Sequence, residues 1–201
     1  TQSLAVVPAG RGFTKLRPWA RGVAPDHFRP DKKKDLGFPG PIFLCVGRVA
    51  IEKNLSAFLD LDLPGSKVIV GEGPELARLK AKYPQAHFLG HRPNDELAEI
   101  YASADVFVFP SRTDTFGNVI IEALASGTPV AAYPVTGPID IVGDGFGGAV
   151  SNDLRQASLA ALTVDRADAR ERAMRYSWKA CAEMFLDTVE EALGTTRKLA
   201  A

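Results

Sequence analysis

The chain has 201 residues, 24 of them Lys or Arg and 24 Asp or Glu, so its formal net charge is zero, which argues against nucleic acid as the main partner because that would favour a basic stripe. A hydrophobic share of 46% at this length supports one good core or slightly more. No apolar run approaches the roughly 18 residues of a membrane span, and no secretory leader is evident. The first residue is Thr rather than Met, so the chain reads as a piece of something longer. Cys45 in a predicted buried strand and Cys181 in a predicted helix suggest no disulfide framework and fit a reducing cytoplasm.

Residues 1–41 are the least regular part, broken by Gly10, Gly12, Pro18, Gly22, Pro25, Pro30, Pro39 and Pro41. Lys32, Lys33 and Lys34 read as a solvated loop, with a membrane-surface contact as the weaker alternative. From Pro41 an alternation begins. Ile42–Val46 is a continuous apolar strand ended by Gly47-Arg48; Leu55–Leu61 suits a helix, Lys67–Val70 a strand, and Glu75–Lys82 a helix. Ala86–Leu89 is a short strand, Asp95–Ala102 a helix capped by Asn94, and Asp105–Phe109 a strand stopped by Pro110. A helix from Gly117, with Val119, Ile120, Ala123 and Leu124 on its apolar face, ends at Gly127 as a left-handed C-cap, and Pro129–Tyr133 is again a buried strand. Strands alternating with helices of about ten residues mean an α/β fold, a Rossmann-like parallel sheet with helices on both faces. Gly137–Asp140 and Gly143–Gly145 read as loops, with Asp140 and Asp144 as turn formers. Leu154–Thr163, Arg166–Tyr176 and Trp178–Leu193 read as consecutive helices. Ser177 caps the last, which sets Ala182, Phe185, Leu186, Val189 and Leu193 on one face. No internal repeat or low-complexity tract interrupts the pattern.

The chemistry concentrates in Ser111–Gly127, SRTDTFGNVIIEALASG. It follows the apolar strand Val106–Phe109, and Thr113, Asp114 and Thr115 offer N-cap side chains for the helix. A helix start directly after a central strand leaves backbone amides, those of Asn118 and Val119 among them, free for an anion at the sheet edge where open α/β folds bind ligands. Asp114 and Glu122 frame this element, at most about 12 Å apart along the axis. That is wider than the roughly 5–9.5 Å of a glycosidase pair and near the span between the two ends of a sugar nucleotide. On spacing alone, Asp114 as a cap and Glu122 as an exposed helical charge is an equal alternative. Arg48 and Lys53, after the first strand, can reach a diphosphate over the sheet edge; the alternative pairs them with Glu52 or Asp60. Gly71-Glu72-Gly73-Pro74 is a tight strand-to-helix turn and not a dinucleotide fingerprint, since Leu76 holds the third glycine position. His91 and Arg92 follow the third strand, and His27 and His87 show no partner spacing. No His/Cys/Asp set has metal-ligand spacing, and Ser111 lacks both a nearby His and a nucleophile turn, so a hydrolase triad is not supported.

Asp114-Thr115-Phe116-Gly117 with Glu122, preceded by Gly47-Arg48 and Lys53, resembles the signature of retaining glycosyltransferases of the GT-B fold, family 4 (glycosyl transferases group 1), and the likeness runs over residues 17–193. The family usually has Glu at the first acid; Asp114 keeps the charge but reaches about one methylene less. The resemblance implies an interdomain linker and remnant of an N-terminal domain at 1–40, a nucleotide-sugar-binding domain at 41–176, and a crossover helix and tail at 177–201. It implies that Arg48 and Lys53 hold the donor diphosphate and that Asp114, with the Phe116-Gly117 backbone, orients the sugar. Glu122 holds the ribose hydroxyls in this scheme. Gly47, Gly71, Gly73, Asn118 and Val119 line the nucleotide by backbone, and Arg92 stacks on the base. The implied reaction is transfer of a hexose, mannose or glucose, from a UDP- or GDP-sugar to a lipid or saccharide with retention. It needs no metal or other cofactor and requires an acceptor domain that this chain is too short to contain, so the chain alone is expected to be inactive. The location implied is cytoplasmic, with peripheral membrane contact left open for the full-length protein. Two alternatives stand beside this: a sugar-nucleotide epimerase or hydrolase of the same fold, and a non-catalytic nucleotide-binding module.

Overall fold

The computed structural model describes residues 2–14, 16–17, 19–114, 116–143 and 145–194. Pro18, expected to break the first segment, Thr115, expected among the helix caps, Asp144, expected in a turn, and the end of the expected tail lie outside the described residues. Six short strands, β1 (Ile42–Val46), β2 (Ser66–Val70), β3 (His87–Gly90), β4 (Val106–Phe109), β5 (Val130–Ala132) and β6 (Gly148–Val150), form one sheet in the order β3-β2-β1-β4-β5-β6. Every pairing is parallel, and β1 and β4 meet at Phe43–Val106 and Leu44–Phe107. The helices are α1 (Gln2–Ala9), α2 (Leu55–Leu59), α3 (Leu76–Lys82), α4 (Asn94–Ser103), α5 (Asn118–Ala125), α6 (Pro138–Val142), α7 (Leu154–Ala161), α8 (Arg166–Met174) and α9 (Trp178–Leu193).

The unbroken apolar runs of β1 and β4 are explained by burial on both faces. Successive side chains alternate across a strand, so Leu44 and Phe107 join a core with Tyr101 of α4, Ile120 and Leu124 of α5, and Ala169 of α8. Phe43, Cys45, Val106 and Val108 join the opposite core with Phe58 of α2, Leu79 of α3 and Leu154 of α7. The strand order reverses between β1 and β4, because the chain runs outward to β3 and then returns to build β4, β5 and β6 on the other side. That reversal opens a crevice beyond the carboxyl ends of β1 and β4.

Helix α8 locks this arrangement from the back. Arg166 donates to the carbonyls of Ala102 (2.6 Å) and Ala104 (2.7 Å) at the end of α4. Arg170 reaches the Ala125 carbonyl at the end of α5 and those of Phe28 (3.0 Å) and Pro25 (3.1 Å). Arg172 takes Ile141 (2.7 Å) and Asp140 (2.8 Å) in α6. Three cations on one helix thus satisfy carbonyls in three other helices, where the macrodipole favours positive charge at the C-termini.

Several boundaries differ from the sequence reading. Helix α5 starts at Asn118, and Gly117 (φ 91°) is its N-cap with no side-chain cap, so Thr113 and Asp114 do not serve as caps. The Asp114 carboxylate is taken by a lysine instead. The end of α5 is as expected: Gly127 (φ 71°) follows Ser126 in the left-handed region, and the amides of Gly127 and Thr128 close the helix on the Leu124 and Ala123 carbonyls at 2.9 Å each. Asn94 is the first residue of α4 and Pro93 its N-cap. The stretch read as a loop from Gly137 forms α6, where Pro138 starts the helix and Ile141 and Val142 are buried. β6 and α1 were not legible; Ser3 ties α1 down by donating its amide (3.0 Å) and hydroxyl (2.7 Å) to Asp140 Oδ2. Among the described residues no helix is long and apolar enough to cross a membrane.

Candidate functional site

Two loops leave the sheet side by side at the crevice. The one after β1 carries Gly47 and Arg48, then a single 3-10 turn, Ile51–Lys53, that ends on Asn54 in the left-handed region (φ 54°). The Asn54 amide donates to the Pro110 carbonyl at 3.0 Å, which ties this turn to the end of β4. Buried Ser111 adds a second tie, Oγ to the Glu52 carbonyl at 3.4 Å. Lys53 is thereby aimed at the loop before α5, and its Nζ lies 2.8 Å from both oxygens of Asp114. The pair is partly buried, with side chains 29% and 24% exposed. Arg48 is exposed and pairs with Glu52 one turn on, a contact that a ligand can displace at a cost of about 0.5 kcal/mol.

The glycines after β2 explain how closely these loops pack. A Cβ on Gly71 would lie 1.9 Å from the Gly47 carbonyl oxygen, and one on Gly73 would lie 2.3 Å from that of Val49. Both positions support the β1 loop from behind, and the Val49 amide donates to the Glu72 carbonyl at 2.8 Å.

Helix α5 closes the crevice. Phe116 is buried edge-on against Tyr176, ring centroids 6.0 Å apart, and so anchors the turn in front of the helix. The Ile120 amide bonds back to Gly117 at 2.9 Å, while the amides of Asn118 and Val119 make no hydrogen bond among the described residues. These are the orphan donors of a helix N-terminus, facing the end of a parallel sheet. A cleft of about 260 Å³ lies between the loops, lined by Gly47, Arg48, Lys53, Pro110, Ser111 and Val119 among others. A larger hollow of about 410 Å³ opens before β2, at the opposite end of the sheet, beside Asp60, Lys67 and Tyr83. Its ammonium group is already spent on the Leu59 and Leu61 carbonyls, so the smaller cleft has the better recognition chemistry.

Of the residues expected at the site, Gly47, Arg48, Lys53 and Val119 line this cleft, Asp114 joins through Lys53, and Gly71, Gly73 and Phe116 stand behind the loops that form it. Asn118 is exposed at the helix start, and Gly117 caps it. Arg92 and Glu122 do not line it. Arg92 lies 3.7 Å from Glu96 on α4. Glu122 is neither exposed nor unpartnered: the Tyr101 hydroxyl donates to its Oε2 at 3.0 Å. Burial raises the Glu122 pKa, against the opposing pull of the Tyr101 hydrogen bond and the charge of His27. Two features went unforeseen. Arg112 stacks its guanidinium 3.6 Å over the Tyr133 ring, and Tyr101 partners Glu122. The Cys45 thiol, in the cleft wall, is pushed up to about 12 by burial and is no nucleophile. Among the described residues no three His, Cys, Asp or Glu side chains gather to hold a metal.

The profile of the family described as Glycosyl transferases group 1 matches residues 40–166. The chain is 41% identical over 140 residues to a GDP-mannose-dependent alpha-mannosyltransferase of Mycobacterium tuberculosis, an alignment covering 66% of this chain and 37% of that protein. It is 39% identical over 150 residues to the enzyme of the same description from Corynebacterium glutamicum, covering 68% and 35%. Among solved structures, AviGT4, a glycosyltransferase involved in avilamycin A biosynthesis, superimposes with a TM-score of 0.74 at 20% identity, over 92% of this chain and 60% of that one. The chain therefore spans little more than a third of the curated relatives named here.

Proposed function

The chain belongs to the glycosyl transferases group 1 family and has the α/β fold of one half of a GT-B enzyme; from that premise we infer that it binds a nucleotide-diphosphate hexose and supplies the donor half of a retaining hexosyltransferase. The observation that carries the reading is the convergence of Arg48, Lys53 and the unbonded α5 amides on one cleft at the strand-order reversal. A diphosphate is the ligand whose concentrated charge suits that set. The two mannosyltransferase relatives favour GDP-mannose as the donor. We assign the acceptor, a lipid or saccharide, to a second domain, place the full-length enzyme in the cytoplasm, and assign the reaction no metal.

In this scheme the acceptor hydroxyl attacks the anomeric carbon on the face from which the diphosphate departs. The bond from that carbon to the phosphate oxygen breaks, and the departing phosphate takes the acceptor proton, so configuration is retained. Arg48, the third N–H of Lys53 and the α5 amides stabilise the charge growing on the diphosphate. Asp114 holds sugar hydroxyls while it remains paired with Lys53, so one ammonium group sets the distance between sugar and phosphate. Glu122 takes the ribose hydroxyls, Gly71 and Gly73 support the loop that meets the nucleotide, and Arg92 covers the base.

Thermal unfolding with GDP, GDP-mannose, UDP and UDP-glucose tests this. A nucleotide at a hundred times its Kd stabilises by about 2.7 kcal/mol, and Arg48→Ala should abolish the shift. A shift with uridine nucleotides alone would reassign the donor, and no shift with any of the four would refute the reading. Transfer of mannose by this chain without a second domain is expected to be undetectable.

A further inference from the structure

The Tyr101 ring is immobilised by the core rather than by the cleft. It is fully buried on α4, edge-on to Phe28 with centroids 5.8 Å apart and tilted against Phe107 at 5.7 Å. The Thr128 hydroxyl donates to its carbonyl at 2.6 Å, and Arg166 holds the next carbonyl, that of Ala102, at 2.6 Å. Its hydroxyl therefore sits at a fixed point, and that point is 3.0 Å from Glu122 Oε2. Phe28 and Phe107 beside it fill the same core without a polar atom, so ring area alone does not require a phenol here. The other carboxylate oxygen, Oε1, makes no hydrogen bond among the described residues and keeps its acceptor capacity.

We propose that Tyr101 is a positioning residue for the donor: its hydroxyl fixes one oxygen of Glu122 so that the other meets the ribose hydroxyls in a single orientation. This rests on the reading of Glu122 as the ribose ligand. A free glutamate has three rotatable bonds to freeze on binding, and the tyrosine freezes them in advance. It also favours the ionised carboxylate, the form that accepts from hydroxyls. The groups acting on that carboxylate are Tyr101 from α4 and His27 from the segment before β1. Arg166, Arg170 and Arg172 of α8 are committed to backbone carbonyls in other helices.

The test is calorimetric titration of wild type, Tyr101→Phe and Glu122→Ala with GDP, UDP and the 2′,3′-dideoxy form of whichever binds, repeated across the acid range. Tyr101→Phe should weaken the ribose nucleotide about three- to tenfold, the worth of one ordinary hydrogen bond, and leave the dideoxy nucleotide unchanged. The acid limb of binding should move to higher pH, since burial of Glu122 is then less opposed. Equal losses for both nucleotides would reduce Tyr101 to a core residue and overturn the proposal. So would an unaffected Tyr101→Phe beside a weakened Glu122→Ala, which leaves the ribose reading standing. An unaffected Glu122→Ala, or no binding by wild type, overturns the ribose reading and the proposal together. Tyr101→3-fluorotyrosine keeps the ring and sharpens the donor; it should move the acid limb to lower pH, and an unmoved limb overturns the proposal even if Tyr101→Phe does not fold.

Discussion

Asp114→Asn should tighten the binding of GDP while removing the advantage of the sugar-bearing donor. Lys53 spends two of its three N–H groups on Asp114, at 2.8 Å to each oxygen. A diphosphate that takes the third brings its own negative charge to within about 5 Å of the carboxylate, where two unit charges at an effective dielectric near 20 repel by about 3 kcal/mol. The ammonium between them cancels most of this, and a net penalty of about 1 kcal/mol, or fivefold in Kd, is the reasonable remainder. Asparagine is nearly isosteric and removes the charge, so GDP should bind about fivefold more tightly to the variant. The gain should shrink as salt rises, because the pair is only partly buried. GDP-mannose should gain nothing, since its sugar loses the carboxylate acceptor. Calorimetric titration at low and moderate salt measures both ligands. Equal weakening of GDP and GDP-mannose would refute the reasoning, since it would mean that Asp114 serves to hold Lys53 in place rather than to compete for it.

Arg166→Ala leaves the buried Ala102 and Ala104 carbonyls without their donors and should cost about 2–4 kcal/mol, read from urea unfolding; a loss under about 1 kcal/mol would mean that water replaces the guanidinium. Gly71→Ala would drive a Cβ to 1.9 Å from the Gly47 oxygen at a φ of 136°, so the β1 loop must move. Nucleotide binding should fall further than stability does, and a variant that binds normally would separate this loop from the site. Glu122 has its pKa raised in the folded state, so the native protein binds more protons than the unfolded chain between the usual and the raised value. Its carboxylate therefore contributes no penalty below that window and an increasing one as pH rises through it. Glu122→Gln, whose amide oxygen still accepts from Tyr101, should be more stable than wild type at neutral pH and equal to it in acid. Matched urea titrations at both pH values decide this, and a constant difference would refute it.

Regular elements were legible wherever one residue pattern admitted one structure. Ile42–Val46 and Val106–Phe109 are apolar at every position, short, and rich in β-branched and aromatic residues, which together indicate a strand covered on both faces, and α9 runs over the same residues as its spacing indicates. β6 was not legible, because Gly148-Ala149-Val150 has no strand signature of its own. Its glycine matters only beside β5, where a Cβ would lie 1.9 Å from the Val130 oxygen. The identities Arg48, Lys53, Asp114 and Glu122 stand in the sequence, and so does their order along the chain. Their pairing does not: Lys53 meets Asp114 across 61 positions and Tyr101 meets Glu122 across 21. Sequence determined the elements with a pattern of their own and the type of chemistry, because hydrophobic period and charge are local properties. The tertiary structure alone decided which cation shares which carboxylate, because that depends on two loops being brought together by strands that are neighbours only in the sheet.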